Sequence, residues 1–235
     1  MSRMIESICN LVSGDGHSMN VVVVACHPDD ESIGMGGTIK ILGRVANVHV
    51  VVLSNGASNK KGKEREDLIS EREQELRKAG QVLSISEFHF LDQDDGYLEH
   101  QKEDAISKLA RVLESVHPCV VFTHYRYDTH PDHAVAFDIV ERACWWANRG
   151  NLMTRNLVSS IFEFEVYTPL LRYTELVDIS AVVEDKRSAI KSYQSQDIDV
   201  DSVLGLNRFR AAHNTKPPFQ GTHFEAFLET RVTLL

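Results

Sequence analysis

Two groups of histidines and acids stand about a hundred residues apart, each directly after an apolar run. The first is His27-Pro-Asp-Asp-Glu31 and the second is Asp128-Thr-His-Pro-Asp-His133. Charged side chains at the ends of buried strands are costly unless a metal ion or a reaction uses them. The two groups therefore predict one shared site, built from the ends of two strands.

A metal ion is the first chemistry that these residues suggest. His27 and Asp30 lie three residues apart at a predicted strand-to-helix turn, so both can point at one spot, and His133 would complete the set. Two histidines and one carboxylate, with a position left for water, form an open catalytic metal site. Zn²⁺ suits the set, and Fe²⁺ or Mn²⁺ stay open on ligand type alone. A helix cap made by Asp29 and Asp30 is the alternative.

The neighbouring residues suggest acid–base roles. Asp29 lies outside the ligand set and can reach water whose pKa a metal lowers to about 7, so it is the candidate general base. His130, as an imidazolium, could stabilise an oxyanion and protonate a leaving amine. Asp132 or Asp128 could orient its ring. The alternative for His130 is a structural helix cap beside Pro131.

The other histidines receive structural interpretations. His49 lies within a predicted strand and is interpreted as packed there, and His89 shows no partner pattern. His124, at a strand end, is a secondary candidate for contact with the ligands. The sequence has no nucleophile elbow, phosphate loop or dinucleotide fingerprint.

Alternating strand and helix patterns must position these residues. They predict an α/β fold, with a Rossmann-like, mostly parallel sheet and helices on both faces. Strands are predicted at residues 20–26, 48–53, 88–91, 120–123, 158–166 and 175–179. Helices are predicted near 38–45, 67–83, 102–116, 131–147 and 181–193, and nothing is assigned after Asp197. Sites in such sheets form at the carboxyl ends of strands, where both polar groups lie.

The composition limits the class of protein. The length of 235 residues suits one domain at 19–235 behind an extension at 1–18, where Ile5, Ile8, Leu11 and Val12 are spaced as in a short amphipathic helix. A net charge of −9 argues against nucleic acid or an anionic membrane as partner. Four cysteines without paired spacing predict a cytoplasmic protein. No membrane span is predicted, and a homo-oligomer stays open.

Three motifs together resemble the LmbE-like or PIG-L deacetylase family. They are His27-Pro-Asp-Asp-Glu31, Gly34-Met-Gly-Gly-Thr38 and His130-Pro-Asp-His133, and the resemblance covers about residues 20–140. Members of this family are metal-dependent N-deacetylases of N-acetylglucosamine conjugates. The resemblance implies the LmbE-like fold and the residue roles already described, with Asp132 orienting His130.

Further matches extend the resemblance. Arg72-Glu73 resembles a family helix whose arginine often faces the substrate, and Asp95-Gly96 resembles an acid that contacts sugar hydroxyls; Asp128 is a third substrate-binding candidate. The segments Lys186–Gln196 and Glu225-Ala-Phe227 resemble motifs near the family's C-terminus. Ala57 stands where the family often has glutamate, and this leaves the acceptor group open.

We interpret the chain as a zinc-dependent hydrolase of linear amides. Its predicted substrate is a small amino-sugar conjugate of the N-acetylglucosamine type, from which it would release acetate and a free amine. One alternative is another carbon–nitrogen hydrolase with the same metal site. A second is a non-catalytic sugar-binding module of the same fold, although such a module would not need all five of His27, Asp29, Asp30, His130 and His133.

Overall fold

In a computed structural model of the protein, residues 4–6, 19–57, 62–150, 158–214 and 220–232 are described. The strands are β1 (Met19–Ala25), β2 (Ala46–Ser54), β3 (Glu87–Gln93), β4 (Val120–His124), β5 (Ser160–Phe164), β6 (Glu175–Asp178) and β7 (Phe224–Arg231). The helices are α1 (Asp30–Leu42), α2 (Gly62–Leu83), α3 (Lys102–Val116), α4 (Pro131–Gly150), α5 (Val183–Ile190) and α6 (Val200–Ala212), with a 3₁₀ turn at Ser180–Val182.

The strands form one sheet in the order β3-β2-β1-β4-β5-β7-β6. The first five are parallel, and β7 runs antiparallel to both β5 and β6. This confirms the predicted α/β class. Strands β2 and β3 lie on one side of β1, and β4 lies on the other side, so the strand order reverses between β1 and β4. Ligands bind in α/β sheets at such a reversal of strand order, beyond the carboxyl ends of the strands.

Both faces of the sheet are covered. Val21 and Val23 of β1 pack in the core under α1, α2 and α5, whereas Val22 and Val24 pack in the core under α3 and α4. A strand buried on both faces needs apolar residues at every position. That requirement explains the unbroken apolar run before His27.

The predicted helix boundaries differ from the observed ones in segments that lack a regular spacing of apolar residues. Helix α3 has the predicted bounds, but α1 begins at Asp30 and not near residue 38. Met35 (φ −144°, ψ 25°) kinks α1, and the prediction found only the part after this kink. Helix α2 begins at Gly62, six residues before its first apolar position, Leu68. The unassigned segment after Asp197 contains α6 and β7.

A buried ion pair supports the second half of α1. The backbone N–H groups of Gly37 and Thr38 donate to Glu225 Oε1 (3.0 Å) and Oε2 (2.7 Å), and Lys186 Nζ donates to Glu225 Oε1 at 2.7 Å. Free amides at the start of a helix need such partners. Position 37 must be glycine because a Cβ there would lie 2.6 Å from Ile179.

The described part of the predicted extension packs against the domain. Met4 and Ile5 are buried in the same core as Val21, and the Met4 N–H donates to Glu175 Oε2 at 3.3 Å. The other positions of the predicted amphipathic helix, Ile8, Leu11 and Val12, lie outside the described residues. Among the described residues, every helix is too short or too polar to span a lipid bilayer.

Candidate active site

Three side chains converge beyond the carboxyl ends of β1 and β4. His27 Nδ1 lies 3.2 Å from Asp30 Oδ2, and His133 Nε2 lies 3.3 Å from each of these two atoms. Ligands about 2.0–2.1 Å from a tetrahedral zinc ion are about 3.3 Å apart. The nearly equilateral triangle therefore fits one zinc-sized ion, with a fourth position left for water. All three predicted ligands are buried and brought together.

Cys26 and His124 lie beside this triangle, but Cys26 Sγ and His124 Nε2 each have another partner. His124 Nε2 lies 3.4 Å from Asp30 Oδ2. This nitrogen accepts the Cys26 N–H at 3.0 Å, so its lone pair is already used. The Cys26 thiol contacts the Asp132 carbonyl oxygen at 3.3 Å. Burial, and then the charge of Asp30, raise the pKa of this thiol well above its ordinary value. Both residues support the turn after β1.

Two carboxylates contact the outer ring nitrogen of His27. Its Nε2 lies 3.1 Å from Asp95 Oδ1 and 3.4 Å from Asp132 Oδ2. A carboxylate in this position fixes the orientation of a metal-binding histidine and raises its basicity. Asp95 was predicted to contact sugar hydroxyls and Asp132 to orient His130. Here both carboxylates face His27, and only the Asp132 backbone N–H contacts His130 Nδ1, at 3.3 Å.

Asp128 was predicted to contact the substrate, and in the structure its carboxylate contacts a ligand histidine and three backbone N–H groups instead. Its Oδ1 lies 3.6 Å from His133 Nδ1 and accepts the His130 N–H at 2.9 Å. Its Oδ2 accepts the N–H groups of Tyr167 and Thr168, both at 3.1 Å. Asp128 is buried and joins the turn after β4 to the turn after β5.

Asp29 is held in a strained conformation beside the ligands. Its backbone (φ 153°, ψ −28°) lies in a region that costs a non-glycine residue about 1–3 kcal/mol. Its Oδ2 accepts from Arg72 Nη2 at 2.9 Å. Burial raises the pKa of Asp29 to about 7, although the charge of Arg72 opposes the shift. A carboxyl group with a pKa near neutrality is suited to general base catalysis.

Arg72 contacts protein groups instead of facing an open pocket. Its side chain is only 5 % exposed, and besides Asp29 it donates to Gly56 O (2.7 Å) and Pro28 O (3.0 Å). It thereby joins the turns after β1 and β2. Gly56 has a φ of 66°, and a Cβ there would lie 2.5 Å from Arg72 Nη1, which explains the Asn55-Gly56 turn.

We expect Arg72→Lys to lower kcat by about 100-fold, because a single ammonium cannot hold Asp29 and two carbonyl oxygens at once. KM and metal content should change little. Steady-state kinetics and elemental analysis test this, with Arg77→Lys on the exposed side of α2 as the matched control. A higher KM with an unchanged kcat would instead indicate that Arg72 contacts the substrate.

Tyr167 is a site residue that the sequence did not reveal. Its ring is 66 % exposed and stacks on His130 (centroids 5.8 Å apart) and on His133 (5.4 Å). It follows β5 in a segment without a recognised motif. The available signal was its place beyond the carboxyl end of a strand next to β4. Glu165, ion-paired with Arg210 of α6, fixes this segment by accepting the Leu170 N–H.

A pocket of about 390 Å³ opens beside Asp29. Tyr167 and the start of α6 form its walls, and aliphatic side chains, among them Ile33, Val166 and Leu206, line it. None of its lining residues in the described part of the chain is a lysine or arginine. The pocket therefore offers apolar surface, an aromatic ring and acidic groups next to the candidate metal position.

The protein belongs to the family described as GlcNAc-PI de-N-acetylase, or PIG-L. The family model matches residues 22–144, more than half of the chain and the part that contains every proposed metal ligand.

Two curated relatives have names that describe deacetylases. The diacetylchitobiose deacetylase of Thermococcus kodakarensis is 28% identical in an alignment of 186 residues that covers 75% of this chain and 69% of the relative. A probable N-acetyl-alpha-D-glucosaminyl L-malate deacetylase 2 of Bacillus cereus is 27% identical over 75% of this chain and 83% of its own length.

A solved structure shares the fold but has a different described activity. It is GalB, the 4-carboxy-2-hydroxymuconate hydratase of Pseudomonas putida, with a TM-score of 0.75 and 22% identity over 92% of this chain and 99% of the hydratase. At this identity the likeness shows the fold alone, and a shared fold does not fix a reaction.

Proposed function

We propose that the protein is a metal-dependent N-deacetylase that hydrolyses the acetamide of an N-acetylglucosamine-type conjugate to acetate and a free amine. The triangle of His27, Asp30 and His133 beside Asp29 is the observation that carries the proposal. Membership of the PIG-L family and two relatives named as deacetylases support it.

His27, Asp30 and His133 would hold the metal ion, for which we propose Zn²⁺, with Fe²⁺ and Mn²⁺ as the alternatives. When bound, the ion would polarise the amide carbonyl and lower the pKa of a coordinated water. The carboxylates behind His27 and His133 keep both rings directed at the ion.

Asp29 acts on the attacking water in this proposal. Arg72 holds its Oδ2, and no hydrogen bond to Oδ1 is present among the described residues. Asp29 accepts a proton as the water oxygen adds to the carbonyl carbon and the C=O electron pair moves onto oxygen. When the C–N bond breaks, Asp29 returns the proton to the leaving nitrogen, and acetate and an amine result.

His130 stabilises the oxyanion as a neutral ring. Its Nδ1 accepts the Asp132 N–H, so the neutral imidazole carries its proton on Nε2, where it can donate to the negative oxygen. Burial, and then the charges of His133 and His27, lower the pKa of His130. The structure thus favours a neutral donor over the imidazolium suggested by the sequence.

The pocket beside Asp29 favours a neutral or cationic conjugate. Asp197 and Asp199 lie on its rim, and no lysine or arginine among its described lining residues would balance an anionic group. The exposed ring of Tyr167 offers a flat apolar surface of the kind that packs against a sugar face.

Acetate release tests the proposed function directly. The protein is loaded separately with Zn²⁺, Fe²⁺ or Mn²⁺ and incubated with N,N'-diacetylchitobiose, an N-acetylglucosaminyl malate and 4-carboxy-2-hydroxymuconate. We expect acetate from the first, less from the anionic second, and no hydration of the third. Absence of acetate with every metal would refute the proposal, and hydration of the third would replace it.

We expect Asp30→Asn and His133→Ala to lose the metal ion bound at the triangle and all measurable turnover, because each removes one corner of the triangle. Elemental analysis after dialysis measures the loss. His100→Ala removes an exposed histidine that is not part of the triangle and should retain the parent metal content. A metal content equal to that of the wild type in both ligand variants would exclude these residues as ligands.

We also propose a cytoplasmic location. Cys26, Cys119 and Cys144 are unpaired, as is usual in a reducing compartment, whereas Cys9 lies outside the described residues. Cell fractionation with an antibody to the chain tests this, and recovery outside the cytoplasm would contradict it.

A further inference from the structure

Outside the candidate active site, two histidines and a glutamate meet on neighbouring strands. His49 of β2 lies opposite Glu87 of β3 in parallel register, and His89 is two residues further along, on the same face of the sheet. His49 Nδ1 lies 3.2 Å from His89 Nε2 and 3.4 Å from Glu87 Oε2. One donor atom from each of the three side chains lies within 4.8 Å of the others.

This cluster repeats the ligand types and the histidine–histidine spacing of the active site. The nitrogens of His27 and His133 are 3.3 Å apart with ring centroids at 5.3 Å, and those of His49 and His89 are 3.2 Å apart with centroids at 5.5 Å. Each set adds one carboxylate. We propose that His49, Glu87 and His89 bind a second divalent transition-metal ion, such as Zn²⁺.

The geometry favours a metal ion over a simple hydrogen bond. A single proton on His49 Nδ1 has two competing acceptors, His89 Nε2 and Glu87 Oε2, and can be aligned well with only one of them. If His49 Nδ1 instead accepts a proton from His89, this nitrogen has no proton to donate to the carboxylate of Glu87. An ion bound by all three atoms satisfies every lone pair at once.

The second site is separate from the first. His49 is the fourth residue of the nine-residue β2, and Glu87 begins β3, so the cluster lies toward the amino ends of these strands. The catalytic candidates lie beyond the carboxyl ends of β1 and β4. His49 is 8 % exposed, whereas the Glu87 side chain is 59 % exposed and leaves a path for ions from solvent. The ion would join the edge strand β3 to β2 and act as a structural brace.

Equilibrium dialysis against buffered Zn²⁺, followed by elemental analysis, tests the proposal on the full chain. We expect two ions per chain in the wild type and one in Asp30→Asn/His133→Ala, which lacks the active-site set. Adding His89→Gln to that double variant should weaken the remaining site by more than about tenfold, since even changes behind a ligand cost that much. His100→Ala is the matched histidine control.

Two further measurements keep the test decisive if the double variant does not fold. His89→Gln and Glu87→Gln in the wild-type background should each lower the stoichiometry from two ions to one and leave kcat unchanged. Zn²⁺ should also raise the melting temperature of chelator-treated protein less in these variants than in the wild type. Unchanged zinc binding in His89→Gln would overturn the proposal and leave only a hydrogen bond. The zinc stoichiometry and the melting temperature need no turnover, so failure of this proposal is distinguishable from failure of the proposed function.

Discussion

Replacing Asp29 with asparagine should reduce kcat by about 100- to 10,000-fold, the range that a positioned general base contributes. Asparagine has nearly the same shape and tolerates a positive φ better than most residues, so the strained turn should persist. It cannot accept the proton of the attacking water. The metal content should stay at the wild-type level, because Asp29 contributes no corner to the triangle of ligand atoms.

The matched control for this substitution is Asp138→Asn. Asp138 lies on α4, the helix that carries His133, and like Asp29 it is paired with a cation, Lys102 Nζ at 3.0 Å. It lies on the surface, and its loss should leave kcat unchanged. Turnover and metal content are measured on both variants. Wild-type turnover in Asp29→Asn would exclude Asp29 as the base, and loss of metal would assign it a ligand role instead.

The sequence predicted the sheet and the convergence of the two polar groups because both depend on local patterns. Apolar runs marked the parallel strands, and the carboxyl ends of neighbouring parallel strands necessarily lie at one edge of the sheet. His27 and Asp30 follow such a run within a few residues, and His133 comes nine residues after the end of β4. Their proximity therefore required only the fold class and the strand order.

The roles of the supporting residues could not be predicted in this way, because they depend on which side chain reaches which atom. Arg72 lies within α2 and Asp128 follows β4, and nothing in their spacing indicates that both are buried against protein groups. Helix α6 was missed for a related reason. Asn207 and Arg210 are two of its four buried positions, so its inner face carries no apolar period.

The contacts of His49 with His89 and Glu87 also could not be predicted from the sequence. A lone histidine in a strand was interpreted as packed, and its side chain is indeed buried. Its partners His89 and Glu87 come from another strand 38 or more residues later, and only the parallel register of β2 and β3 brings them together. Sequence spacing carries no information about that register.

Glu225→Ala should destabilise the fold by about 3–5 kcal/mol, the cost of removing one partner from a buried ion pair. Lys186 would keep a buried charge without its partner, and the amides of Gly37 and Thr38 would lose their acceptor. Lys186→Met should cost less, since the carboxylate keeps both amide donors. Urea unfolding measures the free energies.

The double variant Glu225→Ala/Lys186→Met separates the effect of the ion pair on stability from the effect of the hydrogen bonds that Glu225 accepts from Gly37 and Thr38. Removal of both charges should restore part of the stability lost in Glu225→Ala, because only the two unpaired amides remain. The exposed pair of Arg142 and Glu103 is the matched control, and Arg142→Gln should leave the unfolding midpoint nearly unchanged. A larger loss of stability in Lys186→Met than in Glu225→Ala would contradict the capping role.

The same contacts should affect metal binding. Asp30 is both a proposed ligand and the first residue of α1, the helix whose second half Glu225 holds. Loss of the Glu225 contacts should therefore also weaken metal binding at the end of β1.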